Sequence, residues 1–90
     1  MVFTVQELRR LRRLQERRRA KIARVITTME RGCSLNLMFT KNGSVYTLSN
    51  GERVKANIAI MVTRDVRVIS VNDGLFPQCP QTWRFADRFL

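Results

Sequence analysis

Five basic residues in the first third of the chain recur at spacings that place them on one face of a helix. Arg10, Arg13, Arg17, Lys21 and Arg24 follow each other at intervals of three, four, four and three residues. In a helix they lie within about 80° of each other and span roughly 21 Å along the axis. Side chains arranged in this way can neutralise successive phosphates, so the chemistry that this basic stripe indicates is phosphate binding.

The stripe has other interpretations. A run of positive charge is often a solvated face, and it can also dock on an acidic protein or an anionic membrane surface. Like charges at this spacing repel each other unless a polyanion compensates them, which favours nucleic acid, either DNA or RNA, as the partner. Secondary contacts are predicted for three flanking residues, Arg9, Arg12 and Arg19.

Most of the positive charge of the chain lies in this one segment. The 90 residues include 17 Lys and Arg and 7 Asp and Glu, a net charge of +10. Residues 1–31 hold ten basic and three acidic residues, hence +7, which leaves +3 for the other 59 residues. Arginine outnumbers lysine by 14 to 3. This bias favours bidentate phosphate contacts, although a GC-rich genome produces the same bias.

The remaining residue types argue against catalysis. The chain has no His, which removes the Ser-His and Cys-His mechanisms and most zinc sites. The acidic residues outside the helix are scattered, and Glu52 and Lys55 are one residue too far apart for the E-x-K pattern of many metal-dependent nucleases. We therefore predict no enzyme, no bound metal and no cofactor.

The two cysteines, Cys33 and Cys79, lie 46 positions apart. The N-terminus lacks the apolar stretch of a secretory signal, so we expect a cytoplasmic protein with two free thiols, one or both partly buried. An Arg-rich amphipathic start is also typical of a mitochondrial transit peptide, but Glu7 and Glu16 argue against it. No apolar run approaches the roughly 18 residues of a membrane-spanning helix.

The basic stripe requires a long N-terminal helix. Thr4 and Glu7 have the spacing of a capping box, with Glu7 reaching back to the cap, and Gly32 is a natural stop after a helical pattern that runs to about Arg31. Such a helix is about 40 Å long, more than so short a chain needs in a globule. It therefore curves around the core, or its N-terminal half projects from the core, or it pairs with a second copy.

One arc of this helix, about 120° wide, is apolar and is interrupted only by Gln15 and Arg18. Heptad spacing continues through both residues, as in a coiled coil whose polar seam positions set the register. Alternatively, the C-terminal half packs on the protein's own sheet and the middle of the helix stays in water. Because a small sheet cannot cover the whole arc, we expect a homodimer. Its predicted interface comprises Leu8, Leu11, Leu14, Arg18 and Ile22.

The rest of the chain, residues 33–90, has the pattern of a small α+β unit, which makes 1–90 a single domain. Asn42-Gly43 suits a tight hairpin turn, and residues 53–64 fit both a helix and a strand, although their length favours the helix. The predicted fold is a long basic helix, a β-hairpin, a short second helix and two short strands in an antiparallel sheet. We predict strands over 35–40, 44–49, 65–71 and 82–86, turns at 41–43, 50–51 and 72–74, and a loop over 76–81.

Trp83, Arg84 and Phe85 interleave aromatic and basic side chains, as platforms that stack single-stranded bases do. Tyr46 joins them if the strands pair. The two aromatic residues of the triplet, however, point to the same side of a strand. We therefore predict that they belong to the core and that Arg84 and Thr82 face solvent.

Residues 44–85 resemble a pattern found in short uncharacterised bacterial proteins. The residues that carry the resemblance are Leu48-Ser49-Asn50-Gly51 with Val54, and Asp73-Gly74-Leu75-Phe76 with Gln81-Thr82-Trp83-Arg84. The resemblance leaves out the basic helix, implies no activity and transfers no functional residue. It implies a small α+β unit to which a long charged helix is attached.

The leading prediction is a small dimeric α+β protein that binds nucleic acid through its Arg-rich helix. Phosphate contacts would dominate, so binding would depend on salt and only weakly on sequence. The alternative is a non-enzymatic adaptor or inhibitor whose basic face docks on an acidic partner protein. A third possibility is an oligomer with a purely structural role.

Overall fold

The computed structural model describes residues 2–71 and 81–89, and its first element is a 26-residue helix, α1, from Val5 to Glu30. The Thr4 hydroxyl accepts a hydrogen bond from the Glu7 backbone N–H at 3.2 Å, which confirms Thr4 as the N-cap. The return bond from the Glu7 side chain to the Thr4 backbone, predicted from the capping box, is not formed between these two described residues. Gly32 follows the helix with φ +115°, a conformation that favours glycine, and it ends the helix as predicted.

The predicted α+β fold is confirmed. Five strands form one antiparallel sheet in the order β3-β2-β1-β5-β4. Both helices pack on one face of this sheet, since α1 contacts α2 and β5 while α2 contacts β2 and β4. The elements after α1 are β1 (Leu35–Thr40), β2 (Gly43–Leu48), β3 (Arg53–Val54), α2 (Ala56–Thr63), β4 (Val68–Val71), β5 (Thr82–Phe85) and a 3₁₀ turn (Asp87–Phe89).

The hairpin between β1 and β2 turns at the predicted position. Leu35 pairs with Leu48 and Thr40 with Gly43, and Gly43 has φ +115°, which the tight turn requires and glycine adopts easily. Gly51, with φ +94°, marks the turn into β3. The register places Leu35 and Leu48 together on the face that the helices cover, where both are buried.

The core lies between the helices and the sheet. Its contributors from α1 are confined to the last turns of that helix, and β5 adds Phe85 with Trp83 packed beside it. The prediction that these two aromatic residues face the core is confirmed, and Arg84 between them is exposed, whereas Thr82, predicted to face solvent, is half-buried. The buried cluster consists of Val25, Ile26, Met29, Leu35, Leu48, Val54, Ile58, Ala59, Val62, Val68 and Phe85.

Two predicted elements begin later in the chain than expected. The helix predicted over 53–64 starts only at Ala56, because Arg53–Val54 pairs with β2 as a short edge strand. The strand predicted over 65–71 starts at Val68, because a turn precedes it in which the Asp65 carboxylate accepts a hydrogen bond from the Arg67 N–H at 2.9 Å. The turn predicted at 72–74 and most of the loop at 76–81 lie outside the described residues.

Candidate nucleic-acid interface

Helix α1 has two halves with different environments. Every side chain from Val5 to Lys21 is exposed, whereas Val25, Ile26 and Met29 are buried against the sheet and α2. At 1.5 Å per residue the exposed half extends about 26 Å beyond the packed half. Of the three alternatives left open by the helix length, the structure shows the second: the N-terminal half projects while the C-terminal half packs on the core.

The projecting half keeps its apolar arc in solvent. Leu8, Leu11 and Leu14 are 52%, 43% and 47% exposed, and Arg18 is exposed as well. Ile22 is half-buried and marks where contact with the core begins. Four of the five residues predicted to form a dimer interface are therefore available to a partner, while the fifth already contacts the protein's own core.

The predicted basic stripe is exposed along its whole length. Arg10, Arg13 and Arg17 lie on the projecting half, where their side chains border a shallow groove together with Gln6 and Arg9. Arg12 and Arg19, predicted as secondary contacts, are equally exposed, but they lie on the other flank of the helix. The projecting half thus presents cations in several directions.

The stripe continues at the base of the helix into residues that sequence reasoning missed. Lys21 and Arg24 line a cavity of about 150 Å³ together with Arg53 of β3 and Lys55, the N-cap of α2. The spacing of residues along α1 could not predict this group, because Arg53 and Lys55 come from other elements. The edge strand pairs with β2 through Val54 and Tyr46, and through Arg53 and Thr47, and it lies beside α1 at this cavity.

One member of the stripe already has an acidic partner. The Arg24 guanidinium lies 2.6 Å from a carboxylate oxygen of Glu52. Both side chains are partly exposed, so this ion pair contributes little to stability, on the order of 1 kcal/mol or less. Among the described residues it is the only ion pair that involves the five-residue stripe.

Among the described residues, a separate ion pair shows shifted pKa values. The Arg67 guanidinium donates two hydrogen bonds of 2.9 Å to the two oxygens of the Asp65 carboxylate. This bidentate contact lowers the pKa of Asp65 below its ordinary value and raises the pKa of Arg67, since each charge stabilises the other. The pair closes the turn before β4 and has no part in the basic stripe.

Other kinds of site find little support in the described part of the chain. No group of three or more acidic, His or Cys side chains within residues 2–71 and 81–89 is arranged to hold a metal ion. No helix there is long and apolar enough to cross a membrane. Cys33 carries a half-buried free thiol, while Cys79 lies outside the described residues.

The fold and the exposed stripe define a two-layer α+β protein with a projecting basic helix. Comparison of the chain with protein-family models, with curated proteins and with solved structures finds no match. The resemblance of residues 44–85 to short bacterial proteins therefore stays a prediction.

Proposed function

We propose that this protein binds nucleic acid along the basic stripe of α1, mainly through phosphate contacts. The observation that carries the proposal is that the half of α1 with Arg10, Arg13 and Arg17 projects from the core with its side chains exposed on all sides. A helix that is free in this way can lie along a polyanion without a clash from the sheet. A basic surface that only contacts water would not need to project from the core.

The length of the stripe suits this partner. The five cations are distributed over roughly 21 Å of the helix. They can therefore lie opposite about six phosphates of one DNA strand, which follow each other every 3.4 Å along the duplex axis. Fourteen of the 17 basic residues of the chain are arginines, whose forked guanidinium binds phosphate oxygens in pairs. Contacts of this type carry no base information, so weak sequence preference follows.

We also infer that the projecting halves of two copies pair through their apolar arcs. Leu8 and Leu11 lie at heptad positions of the projecting half, and exposed leucines in water favour association. In a parallel pair, Glu7 of one copy lies opposite Arg12 of the other, which is a favourable flanking contact. Such a dimer presents two basic stripes to one ligand.

Salt-dependent binding of random-sequence probes tests the proposed function. Fluorescence anisotropy with a DNA duplex and with a single-stranded RNA of equal length should give binding that weakens steeply above about 50 mM salt. Five contacts predict a slope of log affinity against log salt of about −4.5 for the duplex and about −3.5 for the single strand. The two slopes show which form is held by more phosphates.

A triple variant locates the interface. Changing Arg13, Arg17 and Arg24 to Ala removes three contacts and should flatten the duplex slope by about 2.7. The matched control changes Lys41, Arg64 and Arg88 to Ala, which removes the same charge from exposed positions outside α1. Equal weakening in both variants, or full binding by the first, contradicts the proposal. A wild-type protein that purifies free of nucleic acid and binds neither probe supports the adaptor alternative.

A further inference from the structure

A small cavity at the base of α1, which we call the foot pocket, combines a basic rim with an apolar floor. Lys21, Arg24, Arg53 and Lys55 form the rim, and all four are exposed. The floor consists of Val25, Val54 and Ile58, each buried in the core. The cations are thus anchored to three elements whose relative positions the core determines.

Size and charge together indicate what the foot pocket can hold. Its volume of about 150 Å³ is well below the roughly 300 Å³ at which pockets for whole small molecules begin. The cavity is open to solvent, and the part within it suits a single chemical group. Four cations and one carboxylate, that of Glu52 bound to Arg24, leave a charge of +3 around it. A phosphate group suits both the size and the charge of the foot pocket, since its oxygens accept charge-assisted hydrogen bonds from several cations at once.

The foot pocket is continuous with the basic stripe. Lys21 and Arg24 belong to both, so a polyanion that follows α1 towards the core reaches Arg53 and Lys55 next. The two sets differ in rigidity, because the stripe lies on a projecting helix whereas the floor of the pocket is part of the packed core. A phosphate that enters the pocket therefore has a defined position relative to the sheet.

We propose that the foot pocket seats one backbone phosphate of the nucleic acid that lies along α1. This proposal rests on the proposed function and extends its interface to β3 and the start of α2. Glu52 acts against the ligand, because its carboxylate holds the Arg24 guanidinium at 2.6 Å and repels the incoming phosphate. The bound phosphate takes over the Arg24 contact from Glu52.

A double variant tests the pocket without altering the stripe. Changing Arg53 and Lys55 to Ala should weaken binding of the random-sequence DNA duplex roughly fivefold to tenfold at about 0.1 M salt, and flatten the salt slope by about 1. The matched control changes Lys41 and Arg64 to Ala, two exposed cations outside the pocket. Unchanged far-UV circular dichroism verifies that β3 and α2 still form.

A second variant tests the role of Glu52. Changing Glu52 to Gln keeps the shape of the side chain and releases Arg24, so duplex binding should become roughly twofold to fivefold tighter. The control Asp87→Asn breaks a comparable pair, since Asp87 lies 3.0 Å from Arg84 on a different part of the surface, and it should change affinity much less. Equal tightening in the two variants means that only net charge matters and overturns the role of Glu52.

The outcomes separate this proposal from the one it rests on. If the wild-type protein binds and the Arg13, Arg17 and Arg24 variant loses affinity, while the Arg53 and Lys55 variant binds with an unchanged salt slope, the foot pocket holds no phosphate and the stripe alone is the interface. If the wild-type protein does not bind the duplex or the RNA, the proposed function itself is wrong. A flattened slope in the pocket variant, but not in its control, supports the proposal.

Discussion

Charged side chains in this protein lie in two distinct environments, one hydrogen-bonded within the fold and one exposed to solvent. The Asp65 carboxylate is held by the backbone N–H of Arg67 and by its guanidinium, all at 2.9 Å. This arrangement closes the turn that leads into β4. The arginines of the projecting helix, by contrast, extend into solvent, and among the described residues only Arg24 of the stripe has an ion-pair partner.

The turn at Asp65 predicts a pH-dependent contribution to stability. Because the pKa of Asp65 lies below its ordinary value of 3.8 when the protein is folded, its stabilising effect is fully present above that value and is lost as the pH falls through the lowered pKa. Asp65→Asn should lower the free energy of unfolding by about 0.5 to 1 kcal/mol at pH 7, since the pair is partly exposed. Urea unfolding at several pH values measures the difference between the two proteins, which should shrink in acid. A difference that grows as the pH falls contradicts the assignment.

At the scale of elements, α1 is one helix with two tasks. Its last turns contribute Val25, Ile26 and Met29 to the core, whereas its first 17 residues contribute none. Apolar residues therefore have different environments in different parts of the molecule. Leucines of the projecting half are exposed and available for association, whereas Leu35 and Leu48 of the sheet are buried and stabilise the fold.

The substitution of leucine by alanine at two positions distinguishes a core leucine from an exposed one. Leu35 is completely buried, so Leu35→Ala should lower the free energy of unfolding by about 2 to 5 kcal/mol. Leu11 is 43% exposed, so Leu11→Ala should leave the unfolding of the monomer within about 0.5 kcal/mol of the wild type. Chemical unfolding at low protein concentration measures both values.

Sedimentation equilibrium of the same two variants tests the dimer. Leu11→Ala should shift the wild-type monomer–dimer equilibrium towards monomer, because it removes apolar surface from the paired arcs. A wild-type protein that remains monomeric at every concentration contradicts the pairing of helices. It leaves the nucleic-acid proposal intact, since one stripe can bind alone.

The whole molecule is more extended than its length requires. A compact chain of this size has a radius of gyration of about 12 Å, whereas the described structure has 15.5 Å and a longest dimension of 49 Å. The projecting half of α1 extends beyond the packed body and adds to these dimensions. The molecule thus consists of a small packed body and an arm that contributes nothing to the core.

Removal of the arm is expected to leave the body folded. A variant without residues 2–17 loses none of the core side chains, which begin at Val25. Its radius of gyration should be about 11 Å, and its thermal midpoint should differ little from that of the full chain. Small-angle X-ray scattering and near-UV circular dichroism measure the two quantities. Loss of the near-UV signal means that the arm packs on the body.

The individual elements were largely predictable because their signals are local. The Thr4 cap, the Gly32 stop and the Asn42-Gly43 turn depend on the backbone preferences of a few adjacent residues. The edge strand β3 was missed because two residues carry no detectable period, and only its pairing with β2 defines it. The start of β4 was misplaced because a side-chain hydrogen bond at Asp65 overrides the β-branched pattern.

The sequence by itself determined that this protein has a long helix with a basic stripe and an apolar arc, because both follow from helical periodicity along one segment. It could not determine how far along that arc the core extends, since this depends on the size of the sheet and on where β5 and α2 meet the helix. The tertiary structure decided that contact ends near Ile22 and leaves the arm in solvent. It also decided that Arg53 and Lys55 join Lys21 and Arg24, because only strand pairing brings residues so distant in the chain to one place.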